Sequence, residues 1–265
     1  MSRIFATRPL ANNPAWTTQL LAEQFSVQEL PLLEIVALDG ASEQIAKTKI
    51  LDLDNYQILI FVSQNAVEYG MEYVDRYWPQ LPSEQQWLAI GSKTASALRS
   101  RLIAIDPVQA EASLATAPSM TSESLLTLPQ LHAVKDKKVL IFRGLGGRGM
   151  LAEALSERGA TVHYCELYSR GIPEKSTRIF AQVNFTDMDI VPVFSGESLG
   201  NFVALAKQYD LTHKHSSKLN EILQVHVLVP SERVLGEAQA LGFTQIAVAE
   251  NASEQAMLDA LKQHK

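Results

Sequence analysis

Phe61-Val62-Ser63-Gln64-Asn65-Ala66-Val67 and, far downstream, Val193-Phe194-Ser195-Gly196-Glu197-Ser198-Leu199 are two versions of one sentence: apolar strand, hydroxyl, helix. Each follows a short apolar run, Ile58–Val62 in the first case and Ile190–Phe194 in the second, and each opens an amphipathic segment. A strand that ends in serine and turns straight into a helix is the unit from which parallel α/β sheets are built. A second strand and helix follow each copy after about thirty to thirty-five residues, at Ile90-Gly91 and at Val229-Pro230. Two further βαβ openings, Arg3-Ile4-Phe5-Ala6-Thr7-Arg8 and Leu140-Ile141-Phe142-Arg143, also match each other. The order is therefore A, B, A′, B′, two halves of similar construction, and the residues alone leave open whether A packs with B or with B′.

Working outward, strands are expected near Ile4–Thr7, Val27–Pro31, Trp87–Ile90, Val139–Phe142, Val162–Tyr168, Val225–Val229 and Ile246–Val248. Helices are expected at Pro14–Gln24, Asn65–Tyr77, Lys93–Leu102, Met150–Arg158, Ser198–Tyr209, Glu232–Leu241 and Glu254–Lys262, with another beginning at Ser122. Polar stretches at Asp39–Thr48 and Gly171–Ser176 read as crossings between domains, Thr116–Ser122 as a loop within one, and Asp52-Leu53-Asp54 as a turn into a strand. A chain of 265 residues exceeds what one core needs, so two domains are expected.

Composition narrows the function. With 46% hydrophobic residues and a net charge of −6, the chain is globular and has no basic surface for nucleic acid. No apolar run approaches the roughly 20 residues of a membrane span, and the amino terminus does not read as a secretory leader. The single Cys165 fits a reducing cytoplasm and a core position. None of the six histidines forms a metal motif, His213-Lys214-His215 reading as a solvated loop, and no nucleophile elbow occurs.

Nearly every strand end carries a hydroxyl, a glycine or a cation before its helix: Thr7-Arg8, Ser63-Gln64-Asn65, Gly91-Ser92-Lys93-Thr94, Arg143-Gly144, Ser195-Gly196 and Pro230-Ser231. One such residue is an ordinary N-cap. Six in matching half-sets suit a ligand with several carboxylates, because a helix amino terminus offers free N–H groups and a positive dipole end. Gly144-Leu145-Gly146-Gly147-Arg148-Gly149 is formally GxGxxG, with Glu166 where a ribose-binding acid would stand, and raises an NAD-dependent oxidoreductase as the rival reading. Against it, Arg143 and Arg148 suit carboxylates at least as well as pyrophosphate, and no hydride-transfer constellation accompanies the loop. A small-anion binding protein is a third reading.

In consecutive order, Thr7-Arg8-Pro9, the Ser63 and Thr94 segments, Ser122-Glu123, the Arg143–Arg148 loop, the run from Arg158 to Arg170 containing Tyr168, and Ser231-Glu232-Arg233 resemble the uroporphyrinogen-III synthases, closest to the enterobacterial type. The resemblance implies two similar α/β domains with parallel sheets, joined by two extended linkers, with the active-site cleft between them. It pairs A with B′ and B with A′, placing 1–37 and 172–265 in one domain and 38–171 in the other. It implies cyclisation of linear hydroxymethylbilane with loss of water and inversion of ring D, without a cofactor. Free substrate closes unaided to the wrong isomer, so the protein supplies conformation and water exclusion. Tyr168 matches the family tyrosine assigned to the departing hydroxyl, and Ser63, Thr94 and Ser195 match positions facing the substrate. Ser122, Arg143, Gly144 and Arg148 join the expected binding residues. Where many relatives carry threonine in the last repeat, this chain has Ser231. The resemblance also implies a cytoplasmic monomer with no membrane partner and transient contact with hydroxymethylbilane synthase.

Overall fold

In the computed structural model, residues 2–106, 114–116, 121–147, 149–213 and 216–264 are described. The chain begins β1 (Arg3–Ala6), α1 (Asn13–Ala22), β2 (Ser26–Glu29), β3 (Glu34–Ala37) and α2 (Gly40–Leu51). There follow β4 (Ile58–Phe61), α3 (Gln64–Tyr77), β5 (Gln86–Ala89), α4 (Ser92–Ile105), β6 (Leu114–Thr116), α5 (Ser122–Leu125), β7 (Lys138–Gly144), α6 (Met150–Glu157) and β8 (Thr161–Gly171). The remainder is α7 (Glu174–Gln182), β9 (Val191–Pro192), α8 (Gly196–Thr212), α9 (Lys218–Leu223), β10 (Val227–Val229), α10 (Glu232–Leu241), β11 (Ile246–Val248) and α11 (Glu254–Lys262).

Two compact units divide this chain: unit 1 is Met1–Ile35 with Arg170–Lys265, and unit 2 is Val36–Ser169. The chain passes from one to the other inside β3 and back inside β8.

In unit 2 the strand order is β3-β8-β7-β4-β5-β6, with β8 through β6 pairing in parallel. From β4 the sheet grows one way through β5 and β6, then the other way through β7 and β8, so its direction of growth reverses between β4 and β7. Alternation places Ile58, Ile60, Leu88, Val139 and Ile141 in one core with Leu151 and Leu155 of α6. On the opposite face Phe61 stacks on Phe142 at 4.3 Å and on Trp87 at 6.0 Å between ring centroids.

Unit 1 follows the same logic. β1 pairs with β2, β9 with β10 and β10 with β11, all in parallel, and a bridge from Ile4 to Ile190 joins the two sets. Its reversal point lies between β1 and β9. Phe5 enters one core with Val191, Val193, Val227 and Val229, while Ile4 and Ala6 enter the other with Trp16, Leu20 and Met257. Opposite faces of one strand fill two cores.

The polar stretch over 39–48 is a correction to the sequence reading: it is helix α2, inside unit 2. Only Ala46 and Ile50, four apart, are buried, a stripe too narrow and too small-sided to show as periodicity. Tertiary bonds hold it, Tyr73 OH donating to Glu43 at 2.8 Å and Trp78 Nε1 to the Ile50 carbonyl at 2.6 Å. Likewise the stretch from Gly171 ends β8 and turns at once into α7. The Asp52–Asp54 turn is a 3₁₀ turn over Leu53–Asn55, and most of the loop expected at Thr116–Ser122 lies outside the described residues. No described helix is long and apolar enough to cross a membrane.

Candidate active site

Parallel strands put all their carboxyl ends on one edge, so the order of unit 2 ranks Tyr168 on β8, Gly144 on β7, the residues after β4 and the residues after β5 side by side. Ligands of open α/β sheets meet the protein at this edge, where strand order reverses. That point is occupied by Ser63 and Gly144. Ser63 leaves β4 in extended geometry and caps α3, its Oγ accepting from Ala66 N–H at 3.1 Å. A second contact of the same oxygen is the Tyr168 hydroxyl, 2.9 Å away. Tyr168 is fully buried, its ring stacked on Tyr69 of α3 at 5.4 Å, whereas Ser63 is half-buried.

Strand β7 lies between these residues in the sheet order, and it makes room for their contact. Gly144 pairs with Tyr168 across β7 and β8, and a Cβ built there would lie 2.5 Å from the tyrosine ring. Register slips at this point: Arg143 pairs with Glu166 but Gly144 with Tyr168, skipping Leu167. The slip and the missing side chain together let the ring cross β7. Tyr69 is a residue the sequence does not announce, since its part in the site rests on a contact across the fold. Burial, helped by Glu68 and Glu72, pushes its hydroxyl above the usual tyrosine range, so it remains protonated at neutral pH.

The glycine loop is not built for a dinucleotide. Glu166 accepts the Gly146 N–H at 3.1 Å, so the acid expected on a ribose is bound to the loop itself. The Arg143 guanidinium lies 4.5 Å over the Tyr164 ring, bonds the Gly144 carbonyl through Nε at 3.2 Å, and stands against Gly147 where a pyrophosphate would approach. Arg143 is buried, and Arg148 lies outside the described residues.

Elsewhere on this edge, Gly91 caps α4 with φ +81°, a conformation that favours glycine. Lys93 is exposed, but Thr94, in the same first turn, is buried. Gln64 is exposed and Asn65 half-buried at the start of α3. Ser122 is half-buried beside the actual cap of α5, Thr121, whose side chain accepts from Ser124 N–H at 3.2 Å. Cys165 is a core residue, its thiol pushed up to about 12 chiefly by burial. His213 stacks on Tyr209 at 4.0 Å, and the rest of its motif, Lys214 and His215, lies outside the described residues.

In unit 1 the reversal point carries Thr7, Arg8 and Ser195. Thr7 is buried and its hydroxyl donates to the Pro192 carbonyl, stapling β1 to β9. Arg8 lies 4.6 Å over the Phe194 ring and pairs with Glu254 at 3.1 Å. Ser195 caps α8, accepting from Ser198 N–H at 3.1 Å with the Ser198 hydroxyl 3.0 Å away. Gly196 faces Glu237, whose carboxylate stands where a Cβ would go. Ser231 begins α10 in extended geometry and makes no side-chain cap bond. Asn13 and Trp16 of α1 are buried with side-chain nitrogens that find no partner among the described residues.

Residues 14–259 match the family described as Uroporphyrinogen-III synthase HemD. The uroporphyrinogen-III synthase of Escherichia coli K12 is 32% identical over 266 residues, 98% of this chain and 99% of its own. That of Salmonella typhimurium LT2 is 32% identical over 263 residues, again 98% and 99%. A mutant uroporphyrinogen III synthase from the extremely thermophilic bacterium Thermus thermophilus superposes with a TM-score of 0.70 at 18% identity, covering 100% of this chain and 98% of that one. For the enzyme of Helicobacter pylori 26695 the values are 0.56, 14%, 100% and 99%. At these identities the structural likeness speaks for the fold, and the two-unit α/β architecture is shared.

Proposed function

The chain belongs to the uroporphyrinogen-III synthase family, and from that premise we propose how its strand ends close linear hydroxymethylbilane into the ring-D-inverted macrocycle. The ring A hydroxyl leaves as water and generates an azafulvene electrophile. The substituted position of ring D attacks it to give a spiro intermediate, which fragments and recloses with ring D reversed. One observation carries the reading: a relative named uroporphyrinogen-III synthase is 32% identical over 98% of this chain, and the family match spans residues 14–259.

The chemistry asks the protein to bind carboxylates and to help a hydroxyl depart. The α3 terminus suits the first task, because its first turn holds no acidic residue to compete with a substrate carboxylate. Lys93, Asn65 and Gln64 extend the row within unit 2, and Ser231 at the start of α10 is the matching strand-end residue of unit 1. Tyr168 with Ser63 suits the second, and neither task calls for a cofactor. The reading includes a cytoplasmic monomer that receives its unstable substrate by transient contact with hydroxymethylbilane synthase, since free substrate closes unaided to the other isomer.

The test is incubation of the purified protein with enzymatically generated hydroxymethylbilane, oxidation of the products and chromatographic separation of isomers I and III. Isomer III, formed faster than the spontaneous closure, is expected. Isomer I alone at the spontaneous rate overturns the assignment.

A further inference from the structure

Resting on the reading above, we infer that Tyr168 acts through Ser63, so that the serine hydroxyl is the group that touches the departing oxygen and the tyrosine is its proton reservoir. Three observations converge. Tyr168 is fully buried, beneath a half-buried Ser63. The two hydroxyls are 2.9 Å apart. Ser63 Oγ also accepts the Ala66 N–H at 3.1 Å.

A hydroxyl has two acceptor sites and one proton. Assigning Ala66 N–H to one lone pair and the Tyr168 O–H to the other, as the relay requires, leaves the Ser63 proton to donate away from the protein. The chain of donors then runs one way, from phenol to serine to substrate. Tyr69 stacked on one side of the ring, with Gly144 leaving no side chain in its path, holds the phenol at that contact.

As the ring A carbon–oxygen bond breaks, Ser63 gives its proton to the leaving oxygen, which departs as water, and takes the proton of Tyr168. A phenol is a stronger acid than an aliphatic hydroxyl, so the charge comes to rest on the aromatic oxygen rather than on the serine. When the macrocycle closes, the unsubstituted α-carbon of ring D sheds its proton on regaining aromaticity. That proton returns along the same path, and water is the only by-product.

Steady-state kinetics on the full-length protein test this. Ser63→Ala and Tyr168→Phe should each lower kcat on the order of 10- to 1000-fold with KM little moved, as for one positioned proton donor. The double variant should be no slower than the slower single, because both substitutions cut the same chain. Ser63→Asn preserves the helix cap but cannot pass a proton, and should be as slow as Ser63→Ala. Ser63→Thr keeps the hydroxyl and should restore the rate to within a few-fold of wild type. Wild-type turnover for Ser63→Asn, or losses that multiply in the double variant, overturn the relay while leaving the proposed function intact. A wild-type protein that makes no isomer III overturns both.

Discussion

Ser63 and Ser195 occupy the same place in the two repeats and differ in one neighbour. Both leave a strand in extended geometry, with φ −163° and ψ 165° for one and φ −162° and ψ 160° for the other, and each caps its helix at 3.1 Å. The second partner of Ser63 is a phenol, and that of Ser195 is another serine. Local structure is shared between the halves while acidity is not. Under the relay inferred above, the cap of unit 2 has a phenol behind it, whereas the matching cap of unit 1 has a second serine. The helix ends diverge as well, since α8 carries Glu197 in its first turn and Glu237 against Gly196, whereas α3 has no acid there.

Glycine substitution breaks this comparison most sharply. Gly144→Ala places a methyl group 2.5 Å from the Tyr168 ring, which is fully buried. Isomer III formation should fall about 10-fold or more, in the manner of a lost proton donor. Thermal unfolding should show about 1–3 kcal/mol of destabilisation from overpacking. A Gly144→Ala protein with unaltered kcat would mean that Tyr168 does not need its observed position.

Ser195→Ala is the next largest effect. It removes a cap, costing about 1 kcal/mol of stability by denaturant unfolding. Because the helix N–H groups remain, the rate should drop only about 2- to 20-fold, close to the span of a typical net hydrogen bond. A loss as deep as that of Tyr168→Phe would erase the distinction between the two serines.

Gly196→Ala should do least to activity. The obstructing group is the end of a flexible glutamate, already paired with Arg233, and it can swing aside. Stability should change by no more than about 1 kcal/mol, since alanine suits a helix better than glycine, and the rate by less than about twofold. A collapse of activity would place Glu237 in the site. Smallest of all, Cys165 should resist thiol reagents in the native protein at neutral pH and react on unfolding. Burial raises its ionisation, so the nucleophilic thiolate is scarce below about 12. Rapid native labelling would contradict the packing of β8.

The legible parts of this molecule are those in which burial is two-sided. β4 shows as an unbroken apolar run because all four of its residues are buried. Caps such as Ser63 and Ser195 show because a hydroxyl between strand and helix has few other uses. Helix α2 hides because tertiary bonds rather than an apolar face fix it in place. β3, α7 and α9 hide for related reasons: β3 has no fully buried residue, and the two helices bury two residues and one. The pairing of Ser63 with Tyr168 hides most completely, because it spans 105 residues and depends on strand order, a register slip and an absent side chain together. Sequence names both members of the pair; only the fold shows that they touch.

The interruption of unit 1 by unit 2 sets a timetable for synthesis. Strand β1 meets its bridge partner at Ile190, 186 residues further along the chain than Ile4. At about 5–20 residues per second, a ribosome takes about 10 to 40 seconds to supply it. During that interval Trp16, Leu20 and Phe25 have none of the Phe194, Leu228 and Met257 surface they later share. The five strands β4 to β8, by contrast, emerge consecutively and can pair first. The half that carries Ser63 and Tyr168 can thus assemble before the other half has all of its core.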